Sequence, residues 1–401
     1  MEAQLRKNKY LWLAALSLCL ANFFGTLVFE HLSPMRWLYG IDGLSVYITA
    51  GELSQGRDYY DYFRTDKREM IRHINVRKMV PGFSPAWIAL HIPVVKLGIS
   101  QKTTSRLLAL ISSICLALWF LALFDLFLLL GLNVDSRTIG LALLLSLAFL
   151  PFYEAIFMGQ PTIIVLLLVT LALLAILRNR ELLSAVFIAL AAVIKIFPAA
   201  LLVHFLIRKQ WKPFLLGLVI ILFCQLPVLI FNQQVFESFI CESMKYTQNK
   251  DNHILFMKEN KSIRAVCLRL FDSFKVANAL CTVCLWGTIL FVFFHKEECS
   301  DKSSQRLLLT VQFLLLWIAA TMQTPNLWRQ HHSMLAVVYF VFYALKPKWS
   351  VFIGFLFYLD IIPEVVPSVS PNYPPVLLAT GITMFYFFYL CRHKETAVSK
   401  T

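Results

Sequence analysis

Apolar runs of about twenty residues recur along this chain, separated by short clusters of lysine and arginine. A backbone that crosses hydrocarbon must satisfy its own N–H and C=O groups, and a helix of roughly 20 residues does so over one membrane thickness. With 59% hydrophobic and only 15% charged residues, the chain departs from soluble domains, which are about half apolar and a quarter charged. At this spacing 401 residues accommodate about twelve crossings, so an all-α polytopic membrane protein is expected, a single integral membrane domain over 1–401. The net charge of +14 then reads as loops against anionic lipid headgroups; membrane lipids are expected partners and nucleic acid is not.

Basic clusters orient the spans. Arg6, Lys7 and Lys9 precede the run 10–31, which is too long for a signal-peptide core and reads as a first span leaving a cytoplasmic N-terminus. Arg178/Arg180, Arg208/Lys209/Lys212, Lys296 to Arg306, Lys346/Lys348 and Arg392/His393/Lys394 also read as cytoplasmic. The turn at Gly159-Gln160, the tip at Lys195, the loop 232–272 and the segments 324–332 and 363–373 then fall outside. The bundle occupies 83–391, and 392–401 forms a cytoplasmic tail. The stretch 182–207 is too short for two full crossings and is expected to be a hairpin of short helices turning at Lys195-Ile196-Phe197-Pro198. The stretch 83–98 is expected to be interfacial or re-entrant, which requires protein or water to satisfy its backbone.

The external loop 32–82 is the largest polar stretch. Between Asp66 and Val80, Met70, Ile71, Ile74 and Met79 alternate with Arg68, Arg72, Arg77 and Lys78, the pattern of a basic helix lying in the interface. Asp42 follows the first span closely. A carboxylate between a membrane surface and hydrophobic walls can act as a general base, while the local sequence suits a helix N-cap equally. Asp58, Asp61 and Asp66 are weaker candidates, the first two in a tyrosine-rich turn that could anchor at the interface or stack on sugars.

Lys195 stands out because an ionisable residue inside an apolar stretch is costly and marks a functional site unless it snorkels outward. Trp328-Arg329-Gln330-His331-His332 gathers an indole, a guanidinium and two imidazoles at a membrane boundary. Without further ligands at helical spacing, this set suits hydrogen bonding to phosphate or hydroxyl groups better than zinc. Asn260-Lys261-Ser262 fits a glycosylation sequon, and Lys261, Arg264 and Arg269 could clamp an anion or simply form a juxtamembrane basic helix. Cys281 and Cys284 have CxxC spacing, but no second pair follows, so no metal is expected.

Taken in order, these elements resemble glycosyltransferase family 87, polytopic mannosyltransferase-like enzymes of the GT-C superfamily. Asp42, Tyr47 and Ala50, then Gly56 and Tyr60, resemble the family's D-x4-Y-x2-A…G…Y stretch. Phe83-Ser-Pro85 with Pro93 is similar to its Y-x-P-P…P segment, one proline being replaced, and Gly159-Gln160-Pro-Thr162 to its G-Q-x-N/T element. Lys195-Ile-Phe-Pro198 is similar to its K-x-x-P hairpin, Asn260-Lys-Ser262…Arg269 to N-x-S…R, and Thr324-Pro325…Trp328…His331-His332 to S-P…W…H-H. The resemblance spans about residues 40 to 335.

That resemblance implies a GT-C-like bundle of about twelve helices, its extracytoplasmic first loop carrying interfacial helices. It also implies an enzyme of the cell membrane, both termini cytoplasmic, moving mannose from a polyprenyl-phosphate donor to a glycolipid or glycan acceptor on the extracytoplasmic face. Asp42 would be the catalytic base. Tyr47, Gln160, Lys195, Asn260, Arg264, Arg269, Trp328, His331 and His332 would line the substrates. The lipid-linked sugar is a co-substrate, and neither cofactor nor metal is expected. Two other classes fit the composition: a transporter or flippase for lipid-linked sugars or an anionic solute, and a polymerase or ligase of lipid-linked glycans. The transporter lacks the internal repeat and paired broken helices that such folds carry.

Overall fold

A computed structural model describes residues 9–32, 40–60, 83–248, 262–294, 302–324 and 329–345. Every regular element among them is helical. In chain order they are α1 (Lys9–Leu32), α2 (Ile41–Ser54), α3 (Pro85–Ala89), α4 (Ile92–Lys96), α5 (Gln101–Leu129), α6 (Ser136–Ala148), α7 (Leu150–Phe157), α8 (Thr162–Leu177) and α9 (Glu181–Ile194). After a 3-10 segment (Phe197–Leu202) come α10 (Val203–Ile207), α11 (Trp211–Phe231), α12 (Gln233–Gln248), α13 (Ile263–Phe271), α14 (Phe274–Phe294) and α15 (Lys302–Met322). A second 3-10 segment (Arg329–Leu335) leads into α16 (Ala336–Leu345).

Five helices among the described residues are long and apolar enough to cross a membrane: α1, α5, α11, α14 and α15, with the bent pair α6–α7 a sixth if counted as one span. The bend of 52° falls at Phe149. Pro151 lies in the first turn of α7, where a missing N–H costs nothing but the preceding helix cannot continue smoothly. The described residues thus carry fewer than the roughly twelve crossings expected from length. The proposed interfacial helix between Asp66 and Val80, the crossings after residue 345 and the cytoplasmic tail lie outside them.

The long helices show why they are membrane helices. On α1, Leu11, Ala14, Ala15 and Leu18 form a buried stripe, whereas Trp12, Leu13, Leu16, Leu20 and Phe24 are exposed. A helix greasy all round with one packed stripe belongs against protein on one side and hydrocarbon on the other. The polar residues inside it bond back to their own helix, Asn22 to the Leu18 carbonyl and Thr26 to the Asn22 carbonyl. α1 packs on α5 and α6. At its far end Glu30 holds Lys102 at 2.9 Å and Arg106 at 3.2 Å, so the start of α5 lies level with the end of α1.

At the centre, α8 has nearly every side chain buried, packed among α5, α7, α9, α15 and the 329–335 segment. α8 and α9 form an antiparallel pair joined at Asn179, whose positive φ of 55° suits the short polar side chain of asparagine. α9 and the 197–207 segments form the expected hairpin, reversing at Lys195. The stretch 83–98 is likewise two five-residue helices rather than a span.

Depth follows from one ion pair. Arg178, just past the end of α8, bonds Asp125 near the end of α5 at 2.5 Å, which fixes the register of the two helices. From there α5 climbs about 36 Å to Gln101, but α8 climbs only about 24 Å to Thr162. The turn before α8 therefore stops about 12 Å short of the rim, level with Ser105 to Leu108. The opposite end of the bundle gathers Arg178, Arg180, Arg208, Lys209, Lys212 and Arg306, the last donating to the Leu129 carbonyl. Three of the basic clusters assigned to one side by the sequence thus meet at one end.

Candidate active site

The recessed turn at 157–160 is where the site is built. α7 ends in a Schellman motif: the Gln160 N–H returns to the Ala155 carbonyl at 2.8 Å and the Gly159 N–H to Ile156 at 3.1 Å, with Gly159 at φ +72°. This leaves the carbonyls of Phe157 and Met158 facing outward. They accept from the first turn of α2, Gly40 N–H to Phe157 at 2.8 Å and Asp42 and Gly43 N–H to Met158 at 3.0 and 3.3 Å. The carbonyls left over at one helix end satisfy the donors left over at the other.

Such a joint requires glycine at 40 and 159 and leaves little room at 43. A Cβ on Gly159 would lie 3.2 Å from the Gly43 nitrogen, and one on Gly40, itself at φ +64°, would lie 2.4 Å from the Ser105 hydroxyl. Gly43 also faces Ser105. Gly159→Ala is therefore expected to combine a left-handed strain of about 1–3 kcal/mol with displacement of Asp42. Activity should fall at least tenfold while the protein remains folded; an assay beside a thermal melt checks both.

Gly40 is the N-cap of α2, so Asp42 is not the cap residue; it occupies the first helical turn. Its Oδ2 accepts from Gln160 Nε2 at 2.5 Å. Asp42 is half-buried, keeping part of its surface accessible. α2 lies outside the membrane-spanning segments. Burial pushes the Asp42 carboxyl up to about 6, against the opposing pull of the Gln160 hydrogen bond and of the Lys195 charge. A carboxyl in that range is ionised at neutral pH yet still basic enough to take a proton.

Lys195 follows the last residue of α9 in extended backbone and is buried. Its Nζ lies 5.3 Å from the centre of the Phe83 ring, and no carboxylate oxygen is within 4 Å of it among the described residues. Its charge reaches both Asp42 and His331. His331 and His332 are buried in the 329–335 segment, which packs on α7 and α8, the helices on either side of the Gln160 turn. That segment is pinned by the Trp317 indole, which donates to the Met334 carbonyl at 2.8 Å and stacks on Phe197 of the hairpin. Asp42, Gln160, Lys195 and the histidine pair thus converge from four distant stretches of chain.

Arg264, on α13, lies against Cys281 of α14, and Arg269 is on the same short helix; the charge acting on Asp42 is that of Lys195. Tyr47 is five positions along α2 from Asp42, about 140° around the helix. Asp58 is buried and structural, accepting from the Tyr60 N–H at 2.9 Å and the Ser238 hydroxyl at 2.5 Å. Tyr59 and Tyr60 belong to a small core with Val46, Ala50 and Phe83, so they are neither interface anchors nor sugar platforms. Asn260 and Trp328 lie outside the described residues. Among the described residues, no three His, Cys, Asp or Glu side chains converge as metal ligands.

Sequence reasoning singled out Gln160 but missed the work of Gly40 and Gly43, although a glycine on each side of Ile41-Asp42 signals a close backbone approach. It also passed over the ring of Phe83 beneath Lys195.

No curated protein and no solved structure matches this chain. A family model does, across residues 84–318, taking in Gln160, Lys195, Arg264 and Arg269, with Asp42 ahead of the matched stretch and the histidine pair after it. The match covers well over half the chain and coincides with an all-helical, membrane-spanning fold built around this recess: the chain belongs to glycosyltransferase family 87.

Proposed function

We propose that this membrane glycosyltransferase moves mannose from a polyprenyl-phosphate donor to a hydroxyl of a glycolipid or glycan acceptor, with Asp42 as general base and inversion at the anomeric carbon. The observation that carries this reading is a partly accessible carboxylate, fixed by Gln160, within electrostatic reach of a buried ammonium that forms no ion pair closer than 4 Å among the described residues. A buried cation of this kind calls for an anion. The phosphate of a lipid-linked sugar is one, and a recess about 12 Å below the helix rim suits a donor whose prenyl tail lies in hydrocarbon.

The acceptor hydroxyl gives its proton to Asp42 as its oxygen attacks the anomeric carbon. The bond from that carbon to the phosphate oxygen breaks, and the phosphate departs with the electron pair. Lys195 offsets the charge that builds there and the His331–His332 pair can donate hydrogen bonds to it, the kind of preorganised electrostatic assistance that contributes most to many enzymes. Asp42 sits in the first turn of α2, where the helix dipole favours its anionic form. This reading places the site on the extracytoplasmic face, with Arg178, Arg180, Arg208, Lys209, Lys212 and Arg306 at the opposite end of the bundle.

Purified protein in nanodiscs, given polyprenyl-phosphate-[14C]mannose, tests the reading, with one arm containing EDTA. Transfer or slow donor hydrolysis that survives EDTA is expected. Donor that crosses the bilayer without being consumed would overturn the enzyme in favour of a transporter, and consumption of a different lipid-linked sugar alone would replace mannose.

A further inference from the structure

The segment Phe83-Ser84-Pro85 plays no part in the chemistry just described, yet it touches the lysine that does. α9 ends at Ile194, and its last carbonyls have no partner within the helix. Ser84 meets two of them, its hydroxyl donating to the Val193 carbonyl and its backbone N–H to Ile194 at 3.5 Å. The same hydroxyl oxygen accepts from the Trp87 N–H at 3.2 Å and so caps α3. A serine hydroxyl has one proton to give and lone pairs to receive, so both bonds can be held together. Ser84 is fully buried, and Gln225 of α11 takes the next free donor of α3, the Ala86 N–H, at 3.2 Å. The end of α9 is thereby bolted to the turn that opens α3.

Lys195 is the residue that follows this bolt. Its extended backbone carries the ammonium over the buried ring of Phe83, the residue next to Ser84. A ring face attracts a cation strongly where water is excluded and, unlike a carboxylate, leaves the positive charge unneutralised. An acidic partner at that position would cancel the charge that an incoming anion needs.

We propose that Phe83 and Ser84 are positioning residues for Lys195: Ser84 fixes the end of α9, and Phe83 holds the ammonium in place without a close ion pair, so that it can receive a phosphate ligand. The inference rests on the lysine's role in the proposed function only for the identity of the anion. Binding is therefore measured apart from turnover, using undecaprenyl phosphate in nanodiscs and a thermal melt for each variant. Phe83→Leu, which keeps bulk and loses the ring face, should weaken binding about 3- to 30-fold. Phe83→Trp should restore it, and Ser84→Ala should weaken it where Ser84→Thr does not.

The deciding arm is a double-mutant cycle. If Phe83 acts through Lys195, Phe83→Leu should change binding less than twofold in a Lys195→Met background. Additive losses, or rescue failing with tryptophan, would overturn the positioning role. Wild type binding undecaprenyl phosphate no better than Lys195→Met would overturn it as well. Binding with the expected coupling but no sugar transfer from any donor would leave the positioning role standing and remove the glycosyl-transfer reading of the site.

Discussion

Asp42→Asn should be almost inactive and at the same time more heat-stable than the wild type. The amide is isosteric and can still accept from Gln160, so the α2–α7 joint is preserved. It cannot take a proton, and loss of a general base lowers turnover by roughly 10²–10⁴-fold. The stability gain follows from linkage. Burial raises the folded carboxyl from 3.8 to about 6, so the folded state binds this proton more tightly than the unfolded chain. Its favourable contribution is complete below about pH 3.8 and is lost as pH rises through about 6, which leaves the ionised group a net cost at neutral pH. Removing the charge should recover of order 1–3 kcal/mol, seen as a higher melting temperature at pH 7.5. Near pH 4 the gain should shrink. Turnover within tenfold of wild type would dismiss Asp42 as the base, and a lower melting temperature at pH 7.5 would show that its ionised form is structural.

Lys195→Met should lose about 10²–10³-fold in kcat/KM, the usual consequence of removing one preorganised donor from a site of charge development. A second effect distinguishes this from general damage. The Lys195 charge pulls the Asp42 carboxyl down, against burial. Without it the carboxyl should climb above about 6, and the acid limb of the residual pH–rate profile should move to higher pH. Wild-type activity should rise through pH 6 and level off; the methionine variant should still be rising where the wild type is flat. Methionine nearly matches the bulk of lysine, which limits any cavity. An acid limb that stays put in the variant would separate the two residues and dissolve the site as drawn.

Much of this protein could be read from one sequence because its governing forces are local. Hydropathy placed α1, α5, α11, α14 and α15 in the membrane, since each carries its own solvation preference along contiguous residues. Pro198 and the short arms around Lys195 announced a hairpin, and parity could not accommodate 83–98 as a span. Membership of the family was legible in the order of weak motifs, because Gly159-Gln160 and Lys195 are among the parts that the fold holds together.

What the sequence could not decide was which of its polar residues meet. The local sequence suited Asp42 to an N-cap as well as to a base; Gly40 took the cap, since only a residue without a side chain can stand at φ +64° against Ser105. Arg264 read equally as part of an anion clamp or of a juxtamembrane basic helix; the fold sets it against Cys281 of α14, a neighbour that no local pattern announces. Phe83 read as a motif position and became the support of a cation. The sequence by itself determined a helical membrane enzyme with a carboxylate and a lysine inside an apolar stretch. Only tertiary packing brought these two groups within electrostatic reach of each other. α8 ends about 12 Å below the rim, and carbonyls left over at the end of α7 match donors left over at the start of α2 across more than a hundred residues of intervening chain, a relation that no local pattern encodes.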